Sequence, residues 1–273
     1  MKKCFVLAFS LFWVGSISAQ TTTHLVRGGE GDPGATAGAS LAASTTDFIT
    51  SSSLVHLGGA SDTYVSVGVG ATANGSTLAF NIPIGASGGG FAGAVDLSLT
   101  RTSSFVMDLW VNTSTAQNNR VIMFNGDSTL VTGIGLTMNG NNWGATYGNM
   151  TFSPVTITSG SITDSLWHHI AVVFDNGNLS TYQDGSLITS TGSVSFQNPT
   201  VSDYFMISGS HSGYIGDHFI GEIDEARIFT FATGTFNVSM LSASPIPEPS
   251  TYAAILGLVA IGFVARKRRR IAS

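Results

Sequence analysis

Hydrophobic and polar positions follow one pattern through most of the chain. Between residues 20 and 240, short runs rich in β-branched and aromatic residues are separated by Gly, Asn, Asp and Ser. No stretch of this region repeats apolar residues at the 3.6-residue period of an amphipathic helix. The pattern therefore predicts short strands bounded by turns. About eleven such strands are predicted, at residues 64–69, 77–82, 105–111, 120–124, 133–138, 155–158, 167–174, 179–183, 187–190, 204–208 and 218–229.

Two of these runs indicate how the strands are arranged. In residues 105–111 every second position is apolar, and Asp108 and Trp110 share the opposite face, so one face of this strand is expected in the core. Asp184-Gly185 stands between two runs, which is a preferred sequence for a two-residue type I′ hairpin. Many short strands in one region favour an all-β, two-sheet antiparallel sandwich of the jelly-roll type. The Gly-rich residues 28–44 are expected to form a long loop.

Both ends of the chain depart from this pattern. A basic start and an apolar run, followed by small residues up to Ala19, predict a signal peptide at 1–19. After the sandwich domain (20–240) come a Pro-rich linker at 241–250, an uncharged apolar segment at 251–265 and a basic tail at 266–273. As a helix, the apolar segment would be about 22 Å long, shorter than the roughly 30 Å hydrocarbon core of a bilayer. It predicts a short transmembrane helix that is marginal as a permanent anchor, with the basic tail in the cytoplasm.

The C-terminal segment contains three elements in a fixed order. Pro247-Glu248-Pro249 is followed by the apolar segment and then by Arg266-Lys267-Arg268. This arrangement resembles the PEP-CTERM sorting signal of Gram-negative bacteria. The resemblance implies an exosortase as processing partner, with residues 251–265 in the inner membrane before processing and the protein at the cell surface or in the extracellular matrix afterwards. The alternative is an ordinary tail anchor or single-span protein.

Charge is distributed unevenly along the chain. Between the two terminal signals there are four arginines and, counting Glu248, all sixteen acidic residues, a net charge of −12 with His neutral. This balance argues against nucleic acid as a partner, because phosphate binding needs clustered Lys and Arg. It is compatible with divalent cations, and also with acidic residues that only keep the protein soluble. The only cysteine is Cys4, so the mature protein would have no disulfide.

A second resemblance is carried by motifs in the body. In order, these are the strand at 105–111, Trp-His-His at 167–169, the Asp-Gly hairpin and the closing Gly-x-Ile-Asp-Glu-x-Arg at 221–227. They resemble the laminin-G-like, concanavalin A-like jelly-roll family over residues 23–236. The resemblance implies a structural Ca²⁺ at the sheet rim, held by carboxylates and backbone carbonyls. Asp224 is the first candidate ligand, with Asp175 and Asp184 as weaker ones. The alternative for Asp224 is that it caps loop amides or pairs with Arg227.

The closing strand also bears on catalysis. Glu222-Ile223-Asp224 is similar to the start of the Glu-x-Asp-x-x-Glu strand of laminarinase-type glycoside hydrolases, whose carboxyl groups act as nucleophile and acid about 5 Å apart. The second Glu is missing, since positions 226 and 227 are Ala and Arg. Glu225 would reach the required face only if a bulge lay near 224–225. The inward apolar positions do change parity there, from Ile223 to Ala226 and Ile228, which indicates such a bulge. Because the second Glu is missing, we still expect that the protein is not an enzyme.

Aromatic residues in polar segments are candidates for ligand binding. Trp143 and Tyr147, with Asn142, lie in an Asn/Gly-rich segment predicted to be a loop, and Tyr214 lies in another. Exposed rings there could stack on a sugar; alternatively, they anchor the loops in the sandwich. The expected function is an exported, non-catalytic module that binds carbohydrate or exopolysaccharide, or acts in adhesion. A degenerate glycoside hydrolase and a purely structural matrix protein are the alternatives.

Overall fold

The structure is a computed structural model that describes residues 20–59, 61–68, 76–83, 89–94, 104–127, 133–147, 155–192, 194, 203–209 and 218–242. Within these ranges the chain forms sixteen strands and one short helix. In chain order they are β1 (Gln20–Val26), β2 (Ser44–Thr46), β3 (Ser53–His56), β4 (Thr63–Ser66), β5 (Leu78–Ile82), β6 (Phe91–Ala94), β7 (Ser104–Asn112), β8 (Gln117–Asp127), β9 (Gly133–Gly140), β10 (Asn142–Tyr147), β11 (Val155–Ser161), β12 (His168–Asp175), β13 (Asn178–Gln183), β14 (Ser186–Thr191), β15 (Asp203–Ile207), β16 (Gly221–Phe231) and α1 (Ser239–Ser242).

The strands form two eight-stranded sheets. Sheet A has the order β14-β13-β12-β7-β16-β5-β4, with β1 also paired to β16, and sheet B has the order β11-β10-β9-β8-β15-β6-β3-β2. The main core combines inward-facing side chains from both sheets, such as Phe80 and Met107 of sheet A and Leu136 and Phe205 of sheet B. The predicted all-β, antiparallel two-sheet sandwich is therefore confirmed.

All eleven predicted strands are present, and five further strands were missed: β1, β2, β3, β6 and β10. β10 is the clearest error, because the Asn/Gly-rich segment around Trp143 was expected to be a loop. Instead it lies between β9 and β11, where Trp143 pairs with Met138 and Ala145 pairs with Leu136 and Ile157. Its alternate residues enter the core, and this burial outweighs the low strand propensity of Asn and Gly.

Two backbone predictions are confirmed. Asp184 and Gly185 both have positive φ, 51° and 75°, which defines a type I′ turn between β13 and β14. In β16 the register with β7 shifts between Asp224 and Arg227, and Glu225 has a φ of 50°. A bulge thus lies at 224–225, as the change of parity along the closing strand indicated.

A second type I′ turn was not predicted. Asn176 and Gly177, with φ values of 49° and 80°, join β12 to β13, and Asp175 pairs with Asn178 across the turn. Asn-Gly is the strongest short-range hairpin signal, so the sequence contained the information needed to predict it.

The face of sheet A that points away from the sandwich core is covered over part of its area. Val106, Val173, Phe229 and Phe231 project from β7, β12 and β16 and pack with Met240 and Leu241 of α1 in a second buried apolar cluster. Leu241, at the start of the predicted linker, is therefore part of this packed layer. We call this region the covered half of sheet A.

The predicted terminal segments fall outside the described ranges. This applies to the signal peptide at 1–19, the apolar segment at 251–265, the basic tail at 266–273 and the linker beyond Ser242. Among the residues that are described, none belongs to a helix long and apolar enough to cross a membrane.

Candidate functional site

The other half of the outer face of sheet A carries a row of polar side chains. Thr63, Asn81, Glu222 and Asn112 lie opposite one another on the adjacent strands β4, β5, β16 and β7. Directly opposed residues of antiparallel strands project from the same face, so the four side chains form a line about 14 Å long, three strand spacings. Each is half-buried. We call this line the polar row.

Hydrogen bonds join the polar row in pairs. Asn81 Nδ2 donates to Thr63 Oγ1 at 3.1 Å, and Asn112 Nδ2 donates to Glu222 Oε2 at 3.2 Å. Each bond uses one N–H of an amide, which leaves the amide oxygens and Glu222 Oε1 able to accept hydrogen bonds from a ligand. Burial raises the pKa of the Glu222 carboxyl above its usual value, and the bond from Asn112 opposes this shift.

An aromatic ring stands beside the row. Trp110 is two residues before Asn112 on β7 and therefore shares its face. Its ring is half-buried and lies 5.2 Å from the ring of His169 on β12, measured between centroids. A half-buried indole next to amide and carboxyl groups gives this part of the sheet an apolar platform with a polar edge.

An ion pair marks the boundary between the polar row and the covered half. Arg227 Nε donates to Asp108 Oδ1 at 2.9 Å, and Arg227 Nη2 contacts Asp108 Oδ2. His169 Nε2 lies 3.3 Å from the same oxygen. Burial alone would raise the pKa of Asp108, but the neighbouring Arg227 charge and its hydrogen bonds hold that pKa below the usual value.

Arg227 also contacts the C-terminal helix. Its Nη2 donates to the carbonyl oxygens of Met240 and Leu241, each at 3.3 Å, and its guanidinium lies 4.5 Å from the centroid of the Phe229 ring. The last carbonyls of a helix lack intrahelical donors, so Arg227 satisfies groups that would otherwise need water. It thereby ties α1 to the face of sheet A.

Asp224, the first candidate metal ligand, is fully buried and engaged by backbone amides. Its Oδ1 accepts from the amide nitrogens of Gly28, at 2.9 Å, and Glu225, at 2.8 Å. The carboxylate thus joins the loop after β1 to the bulge in β16. This matches the alternative of a carboxylate that caps loop amides, whereas Arg227 pairs with Asp108 instead.

The other two candidate ligands lie elsewhere in sheet A. Asp175 Oδ1 accepts from Ser104 Oγ at 2.8 Å and from the Gly234 amide at 2.7 Å. Asp184 Oδ1 accepts from the His169 amide at 2.9 Å, and Asp184 Oδ2 lies 2.7 Å from His168 Nδ1.

The sheet thus separates the three carboxylates. Asp175 is next to the turn at one end of β12 and Asp184 follows β13 at the other end of that hairpin, while Asp224 is on β16. The part of the chain that the structure describes contains no group of three or more His, Cys, Asp or Glu side chains able to hold a metal ion. The calcium assignment to Asp224, Asp175 and Asp184 stays a prediction.

The predicted aromatic platform is wrong for Trp143. Its side chain is only 1% exposed, because it projects from the inward face of β10, and its Nε1 donates to Gln183 Oε1 at 3.0 Å. Tyr147 is partly buried against the core, and Asn142 is exposed. The alternative of anchoring therefore describes Trp143 and Tyr147. Tyr214 lies outside the described residues, as do the sorting residues Pro247, Glu248, Pro249, Arg266, Lys267 and Arg268.

The closing strand does not present its carboxyl groups as an open acid and nucleophile pair. Asp224 is enclosed by the two amides, and Glu225 is buried with Oε1 3.8 Å from Arg27 Nη2. Glu222 alone of the three is half-exposed on the outer face. The bulge that could have brought Glu225 into position is present, yet this side chain is held in an ion pair.

The family profile described as the concanavalin A-like lectin/glucanases superfamily matches residues 86–235, more than half of the chain. The chain belongs to this superfamily. The profile of the PEP-CTERM protein-sorting motif matches residues 245–270, which implies export and a surface or extracellular location. No curated protein matches the chain in sequence.

Solved structures share the superfamily fold at low sequence identity. Domain 4 of AbnA, an extracellular arabinanase from Geobacillus stearothermophilus solved with arabinotriose, has a TM-score of 0.57 and 16% identity over 82% of this chain and 97% of that chain. The binding domain of botulinum neurotoxin serotype D has a TM-score of 0.54 and 9% identity, covering 81% and 50%. The binding domain of Paraclostridial Mosquitocidal Protein 1 gives 0.53 and 11%, covering 81% and 51%.

Proposed function

We propose that this protein is an exported, non-catalytic carbohydrate-binding module of the bacterial surface or extracellular matrix. The observation that carries the proposal is the polar row with Trp110 beside it, on the part of the outer face of sheet A that α1 does not cover. Ligand sites combine an apolar, often aromatic, surface with a few polar groups that fix orientation. Sugars match this combination, because their rings have apolar faces and hydroxyl edges.

The comparisons support the carbohydrate part of the proposal. The arabinanase domain with a similar fold was solved in complex with arabinotriose, so a sandwich of this kind can hold an oligosaccharide. The sorting motif supports the location, since it implies delivery to the outside of the cell, where polysaccharides are abundant.

The geometry of the closing strand supports the non-catalytic part. A glycoside hydrolase needs two carboxyl groups on either side of the scissile bond. In this chain Asp224 accepts two backbone hydrogen bonds and Glu225 faces Arg27. Strand β16 therefore does not supply the second catalytic carboxyl group that Glu222 would need. A degenerate hydrolase that no longer cleaves its substrate would act only as a binding module.

Processing forms the remaining part of the proposal. An exosortase would recognise the motif at Pro247-Glu248-Pro249 while residues 251–265 are in the membrane, and would release the sandwich to bind matrix polysaccharide. Mass spectrometry of surface material should find a C-terminus near residues 247–250. An intact Ser273 in that material would contradict processing.

The binding function is tested with the full chain purified in detergent. Immobilised polysaccharides of different composition are assayed for retention of the protein, with and without a chelator, and reducing ends are measured after long incubation. We expect retention by at least one polymer and no new reducing ends. Turnover would overturn the non-catalytic assignment, and failure of every polymer to retain the protein would overturn carbohydrate binding. Loss of retention on chelation would indicate a structural Ca²⁺.

A further inference from the structure

We propose that the polar row and Trp110 form the glycan site and that this site selects electrically neutral polysaccharide over polymers bearing carboxylate groups. The inference rests on the proposed carbohydrate-binding function and names its site and ligand class. Its basis is the set of charged groups that surround the row on every strand of sheet A that contributes to it.

The charge that faces the row is negative. Glu222 is in the row itself, and Asp224 is buried beside Trp110 on the neighbouring strand. β4 and β5 contribute the uncharged Thr63 and Asn81. On β12, His169 lies opposite Trp110 on this face and contacts Asp108. Within the described ranges, an anionic sugar would therefore approach carboxyl groups and meet no cation directed at the row.

The arginines within the described ranges do not supply that cation. Arg227 is buried and directs its guanidinium to Asp108 and to the carbonyls of α1. Arg27 lies beside Glu225, next to the bulge. Arg120 lies on β8 of sheet B, on the other side of the sandwich. Recognition of carboxylate usually uses the paired donors of a guanidinium, and the row offers amides and a hydroxyl in their place.

The groups of the row suit hydroxyls, which both donate and accept hydrogen bonds. The amide oxygens of Asn81 and Asn112 and Glu222 Oε1 can accept, and the second N–H of each amide can donate. The row places these groups at strand spacing along a line of about 14 Å. Trp110 adds one apolar surface at the β7 end. This arrangement suits an uncharged polysaccharide whose hydroxyl groups lie along one edge.

The test compares each neutral polysaccharide with its own carboxymethyl derivative, so that the backbone is the same and only charge is added. Affinity of the full chain in detergent is measured at low salt and at about 1 M salt, where surface charges are screened. We expect at least about tenfold weaker binding of the derivative, equivalent to about 1.4 kcal/mol, with a smaller difference at high salt. Equal or tighter binding of the carboxymethyl form would overturn the selectivity while leaving carbohydrate binding intact.

Variants locate the site. Trp110→Ala and Asn112→Ala should each weaken binding of the neutral polymer about tenfold or more, whereas the control Asn118→Ala, an exposed amide on sheet B, should leave it unchanged. Glu222→Gln removes the charge of the row and should therefore reduce the ratio between the affinities for the neutral polymer and for its carboxymethyl form. Trp110→Phe serves as a second variant that keeps an aromatic ring, and circular dichroism verifies folding.

The outcomes distinguish a wrong site from a wrong function. Binding that is unaffected by Trp110→Ala and Asn112→Ala in folded protein overturns the site assignment but not carbohydrate binding. Absence of binding to every polymer overturns the proposed function and this inference together. Selective neutral binding that is lost in Trp110→Ala and in Asn112→Ala supports the site and the ligand class.

Discussion

The two halves of the outer face of sheet A belong to the same strands but have opposite surroundings. In the covered half, Val106, Phe229 and Phe231 are buried under Met240 and Leu241. In the other half, the same strands β7 and β16 carry Asn112 and Glu222, which are half-buried. The change occurs within a few residues along each strand, at the Asp108–Arg227 pair.

This difference shows how a sheet face can serve two purposes. Apolar side chains on an outer face need a second layer, since their burial contributes about 25 cal/mol per Å², and Met240 and Leu241 of α1 provide that layer. Polar side chains with hydrogen-bond partners of their own can stay at the surface. Among the described residues the polar row is therefore only half-buried, whereas α1 packs on the apolar side chains of the covered half.

The largest expected effect on stability concerns the Asp108–Arg227 pair, at the boundary between the polar row and the covered half. Arg227→Met leaves Asp108 buried without its cation and removes the donors to α1, so we expect a loss of about 3–5 kcal/mol in the free energy of unfolding. This loss is measured by urea unfolding, with circular dichroism as the signal. The double variant Asp108→Leu/Arg227→Met should recover much of the loss, because no uncompensated charge remains. A change below about 1 kcal/mol in the single variant would mean that the ion pair and the bonds from Arg227 to α1 contribute little to stability.

The second effect concerns the cover. Leu241→Ala removes a buried side chain from the apolar layer and should lower the free energy of unfolding by about 2 kcal/mol, the lower end for such truncations because the site is at the edge of the domain. The matched control is Val238→Ala, since Val238 is 44% exposed next to the same helix and should change stability by less than about 0.5 kcal/mol. Similar values for the two variants would contradict a distinct covered half.

A smaller stability effect is expected in the polar half. Trp110→Ala removes a half-buried ring that packs on His169, so the variant should fold and lose only about 1 kcal/mol. Thermal and urea unfolding measure the change beside the binding assay. A loss above about 3 kcal/mol would place Trp110 in a packed layer rather than on an accessible surface.

The smallest effect is a pH dependence. The pKa of Glu222 is raised in the folded protein, so its stabilising contribution is present below the unfolded-state pKa and is lost as pH rises through the folded-state value. Glu222→Gln mimics the protonated form and should be more stable than the parent at pH 7, by less than about 1 kcal/mol. The advantage should disappear near pH 3. An advantage that grew on acidification would show that the pKa is lowered instead.

Several features of the molecule were predictable from local patterns. Residues 105–111 showed one apolar face and placed Asp108 and Trp110 on the other, and both side chains do lie on the outer face. The parity change after Ile223 indicated the bulge. The error at Trp143 has a physical reason. Asn and Gly residues flank many loops, and they also flank β10, a strand in the interior of sheet B. The neighbouring strands β9 and β11 make the backbone hydrogen bonds of β10, and no local pattern shows this.

The candidate site could be predicted only in part. The alternation of β7 predicts an outward Trp110, and the segment that contains Glu222 is similar to hydrolase strands. Their common surface was not visible, because nothing near Glu222 in sequence indicates that Asn81 and Asn112 lie opposite it.

The sequence by itself therefore determined the class of fold, the turn at Asp184-Gly185 and the sorting motif, because strand alternation, turn geometry and processing signals all depend on neighbouring residues. The tertiary structure alone decided that Thr63, Asn81, Glu222 and Asn112 form one line, and that α1 covers only half of the sheet. Sheet order brings together residues that are more than a hundred positions apart. Such pairing depends on how two whole sheets pack, which no local pattern encodes.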